Sequence, residues 1–156
     1  MKAPSPSAPS LKHVRRIRAT PEAVFAAFVD PREIVHWWGP DEGPTLSAET
    51  DVRVGGRFRV VFRTMDGELH ENMGEYLEID PPRRLVMAWW WSTTPDLRSQ
   101  VTVTIDPTDD GAQLTVLHEG FADIETRDSH DAGWAGALDK MATHLESAHG
   151  EEEEKT

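Results

Sequence analysis

The chain has 156 residues, no cysteine and a formal net charge of -12, which gives one domain's worth of polypeptide and excludes disulfides, thiolate catalysis and cysteine-ligated zinc. A field this acidic repels phosphate backbones and anionic lipid surfaces, so neither nucleic acid nor membrane is expected as a partner. No 18-residue apolar run and no signal-like apolar segment is present, and a cytoplasmic protein is the expectation.

In chain order, MKAPSPSAPS holds too little apolar surface to order itself, so residues 1–10 are expected to form a disordered tail. Residues 11–18, LKHVRRIR, alternate loosely and fit a first strand that buries Ile17 and either Leu11 or Val14. ATPEAVFAAFVD then supplies Thr20 as N-cap, Pro21 at the first helical position and Glu22 in the first turn. Val24, Phe25, Phe28 and Val29 make one apolar face of that helix. A second start follows at once, with Asp30 as cap, Pro31 behind it and Glu33 at capping-box spacing, and DPREIVHWWGP is predicted to form a second short helix ended by Gly39 and Pro40.

From residue 44 the period changes to two. Phe58, Val60 and Phe62 alternate with Arg57, Arg59 and Arg63, and the arginines read as a solvated outer strand face. Asp66-Gly67 marks a hairpin, LHENMGEYLEI returns with Gly74 as the expected bulge, and PPRR leads into RLVMAWWWSTT. There Trp89 and Trp91 share a face with Leu85 and Met87, while Trp90 joins Val86 and Ala88 on the other. SQVTVTI and AQLTVLHEG complete about six strands joined by short turns, an antiparallel meander. Finally Trp134, Leu138, Met141 and Leu145 recur at i, i+4, i+7 and i+11, predicting a long helix that stops near Gly150, with residues 150–156 as an acidic disordered tail. The order is β-α-α-β6-α, an α+β domain over residues 11–149.

The words TPEAVFAAFVDPREIVHWWGP, DVRVGGRFR, GEYLEIDPPRRLVMAW, GAQLTVLHEGF and GWAGALDKMATHL, spread over residues 11 to 149, resemble the helix-grip superfamily of START domains, polyketide cyclases and the birch pollen allergen. They are most similar to the branch named for the C-terminal domain of the activator of the heat-shock protein 90 ATPase. The resemblance implies a curved antiparallel sheet wrapped around the last helix with an internal cavity. It places Phe58, Val60, Phe62, Leu85, Met87, Trp89, Val101, Val103, Leu114 and Val116 on the concave face, with Trp134, Leu138 and Met141 facing them. Trp89 and Trp91 would line the space, with Trp37 or Trp38 near its mouth.

Such a cavity, of roughly 300–1,000 Å³, is expected to bind a small hydrophobic or aromatic molecule without covalent chemistry. His118 continues the parity of Leu114 and Val116 and faces inward, either to anchor a ligand oxygen, to act as an acid or base, or to be satisfied within the fold. His70, Glu71 and Asn72 invite a metal reading, but without H-E-x-x-H spacing they read as a polar, solvent-facing hairpin. His36 belongs to the cavity mouth or to the surface, and His130 and His144 lie on the last helix without an assignable partner. No G-x-S-x-G elbow or phosphate-cradling loop occurs, so no residue is assigned as catalytic or as a metal ligand and no cofactor is implied. The competing readings are a co-chaperone-like module with a chaperone partner, which the resemblance implies, and a cofactor-free cavity enzyme of cyclase or hydrolase type. An outward Trp90 would leave an apolar spot through which a homodimer or another protein contact is expected.

Overall fold

The computed structural model describes the backbone of residues 8–155 and the side chains of residues 8–147. Most of the expected N-terminal tail lies outside the described residues. Strand β1 (Ser10–Ile17) is followed by α1 (Pro21–Val29), α2 (Pro31–Ile34), then β2 (Thr45–Thr50), β3 (Arg57–Arg63), β4 (Leu69–Asp80), β5 (Arg84–Trp91), β6 (Thr94–Thr108), β7 (Gly111–Glu119) and α3 (Ile124–Lys155). The seven strands form one curved antiparallel sheet in the order β1-β7-β6-β5-β4-β3-β2, so only the first strand leaves the meander, to pair with the last.

Local signals place the early elements. Thr20 Oγ1 accepts from Ala23 N–H at 3.1 Å, Pro21 opens α1, and Val24, Phe25, Ala27 and Phe28 are buried. Asp30 accepts from the Arg32 backbone N–H at 2.9 Å, and hydrogen bonds from the Arg32 side chain hold its carboxyl below the usual carboxylate range. The second helix is shorter than its sequence predicts. It closes after Ile34, and Trp37 and Trp38 follow in turns whose N–H groups both donate to Ile34 C=O.

The inner faces follow the parity of the sequence. Leu11 and Ile17 of β1 are buried while Val14 is exposed, and Phe58, Val60, Phe62, Leu85, Met87, Trp89, Val101, Val103, Leu114 and Val116 join one core with Trp134, Leu138, Met141 and Leu145 of α3. Gly74 is regular in the β3–β4 ladder, where the bulge was expected, and the register shift falls between Tyr76 and Glu78. Its lack of a side chain serves a close approach instead: a Cβ there would lie 2.1 Å from the Phe58 ring. Helix α3 runs through Gly150 to Lys155, past its expected stop and through most of the expected acidic tail. Gly costs only about 1 kcal/mol inside a helix, and the four glutamates that follow are good helix formers.

The convex face also differs from expectation. Trp90 points outward with Val86 and Ala88 but is only 4% exposed. The Arg98 guanidinium lies 4.0 Å from its ring centroid and that of Arg57 5.8 Å, cations stacked on the negative face of the indole. The apolar spot on which a protein contact was expected is therefore covered by the chain's own arginines. Arg59 is paired with Glu71 on the same face, which holds the Glu71 carboxyl below its usual range. No helix among the described residues is long and apolar enough to cross a membrane.

Candidate functional site: an indole-lined pocket

Between the end of α2, the β3–β4 hairpin, the end of β5 and the first turns of α3 lies a cavity of about 200 Å³. Five of the chain's six tryptophans line it: Trp37, Trp38, Trp89, Trp91 and Trp134. Trp89 and Trp134 are stacked with centroids 5.7 Å apart, Trp89 and Trp91 meet edge to face at 5.5 Å, and Trp38–Trp89 at 5.9 Å and Trp37–Trp38 at 5.0 Å are tilted. Phe62, Thr64, His70, Ser129, His130, Gly39, Pro40, Gly133 and Ala137 complete the wall, which contains no carboxylate, lysine or arginine.

The opening depends on small residues of α3. A Cβ at Gly136 would lie 2.2 Å from the Pro40 carbonyl oxygen, so only glycine admits the loop at that turn, and Lys140 Nζ donates to the Asp41 carbonyl one turn on. Burial lowers the Lys140 pKa. Gly133 and Ala137, neighbours at i and i+4, present almost no side chain to the space in front of Trp134.

Two imidazoles hold two of the five indoles in place. Trp134 Nε1–H donates to His118 Nδ1 at 3.0 Å, and His118 Nε2 lies 2.7 Å from Ser99 Oγ, which in turn reaches the Trp89 carbonyl at 3.4 Å. Because Nδ1 accepts, the proton of neutral His118 resides on Nε2 and is donated to Ser99. Trp91 Nε1–H donates to His130 Nε2 at 3.0 Å, so the His130 proton is on Nδ1, 2.8 Å from the Thr126 carbonyl. Burial drives the pKa of both histidines down, that of His118 well below the ordinary value, and the neighbouring His130 lowers it further.

Of the residues expected to form the cavity, Trp37, Trp38, Phe62, Trp89, Trp91 and Trp134 do so. Phe58, Val60, Met87, Val101, Val103, Val116, Leu138 and Met141 do not: they are buried in the continuous core, where branched and flexible side chains fill the space between sheet and helix. His118 faces inward, as its parity predicts, but is wholly buried with both ring nitrogens engaged, so it anchors the Trp134 indole and not a ligand. The cavity is also smaller than the expected 300–1,000 Å³.

Sequence reasoning missed His70 and His130. His70, expected to face solvent, lies on the inner side of β4 opposite Phe62, stacks on that ring at 5.2 Å and bonds to Thr64 Oγ1 at 3.1 Å. Its even parity with Asn72 and Tyr76 was the available signal. His130 precedes Trp134 by four residues on α3, a spacing that puts both on one helix face. His36 is on the surface, its ring stacked 4.2 Å from that of His144, whose Nε2 lies 2.7 Å from Glu33.

The seven-stranded curved sheet, the two short helices and the long closing helix define an α+β helix-grip domain. The chain belongs to the family described as Activator of Hsp90 ATPase homolog 1-like protein, whose model matches residues 18–146. Among solved structures it is similar to protein CV1439 of Chromobacterium violaceum, with 28% identity, a TM-score of 0.77 and coverage of 88% of this chain and 96% of that one. An AHSA1 protein of Silicibacter pomeroyi is similar at 27% identity and TM-score 0.76, covering 88% and 97%. An AHSA1-like protein of Aeromonas hydrophila, at 24% identity and TM-score 0.75 over 90% and 94%, shares the fold. No curated protein matches the sequence significantly.

Proposed function

We propose that this domain binds a small apolar aromatic molecule, non-covalently, in the indole-lined pocket. The observation that supports this reading is a preformed cavity of about 200 Å³ lined by five indoles among its fourteen wall residues. An apolar cavity of about 150 Å³ is enough to hold benzene, so the space suits one or two fused rings and is too small for a long acyl chain. Aromatic walls bind such rings by stacking and edge contacts at little cost in side-chain entropy, because the indoles are already held by their neighbours.

Intrinsic tryptophan fluorescence and thermal melting against a panel of one-, two- and three-ring aromatics and a fatty acid test the reading. One- and two-ring compounds should quench or shift emission and raise the melting temperature, by about 2.7 kcal/mol of stability at a hundredfold excess over Kd. Trp89→Ala should abolish the response. If the whole panel leaves both readouts unchanged, the binding reading fails.

Family membership supports a second reading, a co-chaperone-like module that engages a heat-shock protein 90 ATPase. Co-elution with such an ATPase and stimulation of its turnover would be the expected outcome, and failure of both would remove that reading.

A further inference from the structure

The pocket wall is graded from floor to mouth. Trp37, Trp38, Phe62, Trp89 and Trp134 are buried, whereas Thr64, His70 and His130 are half-buried and Ser129 is exposed, so the polar side chains gather where the pocket meets solvent. The protein itself takes up most of their polar atoms. Both nitrogens of His130 are engaged, with Trp91 and Thr126. The Thr64 hydroxyl donates to Asp66 Oδ1 at 2.5 Å, a bond that holds the Asp66 carboxyl below its usual range. A hydroxyl has one proton, so Thr64 Oγ1 accepts from His70 Nε2, 3.1 Å away. In the neutral His70 ring the proton is therefore on Nε2, and Nδ1 keeps a bare lone pair.

That lone pair has no partner among the described residues. The side-chain atoms there that are both unpartnered and sealed from solvent are Asn72 Oδ1, Tyr76 Oη and Trp89 Nε1, so His70 Nδ1 keeps an accessible surface. The ring stands on the inner side of β4, stacked on Phe62 at 5.2 Å and edge-on to Trp91 at 6.2 Å, and all three residues line the pocket. The open space that this imidazole borders is the pocket. Trp38 Nε1–H is likewise unpartnered among the described residues without being sealed, but it asks something different of a guest. An indole only donates and the exposed Ser129 hydroxyl can turn to give or take, whereas His70 Nδ1 only accepts.

We propose that the occupant of this pocket is a one- or two-ring aromatic compound bearing a neutral hydroxyl, and that His70 Nδ1 selects it by accepting its O–H. This deepens, and rests on, the binding reading given above. The rings of such a guest lie against the buried indoles while its hydroxyl stays at the polar mouth, where the oxygen can still accept. With no carboxylate, lysine or arginine in the wall, an ionised guest finds no counter-charge. A guest without a donor displaces solvent from Nδ1 and returns nothing, whereas a hydroxyl replaces the lost bond.

The test uses 2-naphthol and 2-fluoronaphthalene, which have nearly the same shape and differ in the hydroxyl proton. Both are titrated calorimetrically into the wild-type protein and into His70→Phe, which keeps a ring against Phe62 and removes the acceptor. The ratio of the 2-fluoronaphthalene Kd to the 2-naphthol Kd should be about tenfold larger in the wild type than in the variant, the size of one hydrogen bond. In case His70→Phe does not fold, the imidazole nitrogen spectrum of the wild-type protein gives an independent readout. The His70 Nδ1 signal should move upfield with 2-naphthol relative to 2-fluoronaphthalene, as a lone pair that accepts a proton bond does. Equal ratios in the two proteins, or a His70 Nδ1 signal that does not distinguish the two compounds, overturn the hydroxyl proposal and leave the binding reading intact. If neither compound perturbs any pocket indole, the binding reading falls and the hydroxyl proposal with it.

Discussion

Leu138 and Met141 sit deep in α3 and share a filled core with Met87, Val101, Val103 and Val116, whereas one turn toward the helix N-terminus Trp134 faces Trp89 across a wall that keeps about 200 Å³ open. The two stretches belong to one sheet–helix interface and differ in side-chain type. Leucine, methionine and valine have rotamers that interdigitate until no void remains. Indoles are planar and stiff, and here the Trp91 and Trp134 rings are tied by their N–H groups to His130 and His118 while Gly133 and Ala137 offer nothing to fill the gap. A cavity persists where the walls are pinned and the helix is bare.

Breaking the filled end should cost most. Leu138→Ala removes a wholly buried side chain from the closed core and should lower unfolding stability by about 2–5 kcal/mol in urea titrations, with ligand response retained in the fraction that stays folded. Acidification comes next and acts on the open end. The pKa values of His118 and His130 are depressed in the folded protein, so both stay neutral there while the unfolded chain takes up protons. Their stabilising contribution is therefore complete above the unfolded value near 6.5 and is lost as the pH falls from there toward the folded values, by at most about 1.4 kcal/mol per pH unit for each histidine. Urea midpoints should drop between pH 6.5 and 5, above the range in which Asp30, Glu71 and Asp123, whose carboxyls are held low, begin to protonate. Replacing His118 with glutamine should flatten part of that slope.

Trp134→Phe keeps an aromatic ring in the wall but leaves His118 Nδ1 without its donor, and should cost about 1–3 kcal/mol. The smallest expected effect on stability is the one that sharpens the contrast. Ala137→Leu places a branched side chain in the cavity, so it should change stability by no more than about 1 kcal/mol while abolishing the fluorescence response to aromatic compounds. If Ala137→Leu proves as destabilising as Leu138→Ala, the two ends are packed alike and the open end is not a pocket.

The residues themselves announced the caps at Thr20 and Asp30, the inward parity of Trp89 and Trp91, the outward parity of Trp90 and the stripe on α3, because each of these is set by neighbours within a few positions along the chain. Helix and strand periods are local, so faces can be assigned before any tertiary contact is known. Residue spacing could not say that Trp90 would lie beneath Arg98, that His70 would stack on Phe62, or that Gly136 would receive the Pro40 carbonyl. Nor could it say which of fifteen inward candidates would close into core and which six would stand around a void. Those outcomes depend on volumes and hydrogen-bond partners brought together from distant parts of the chain, and a side chain's parity is silent about whether the space it faces has already been taken.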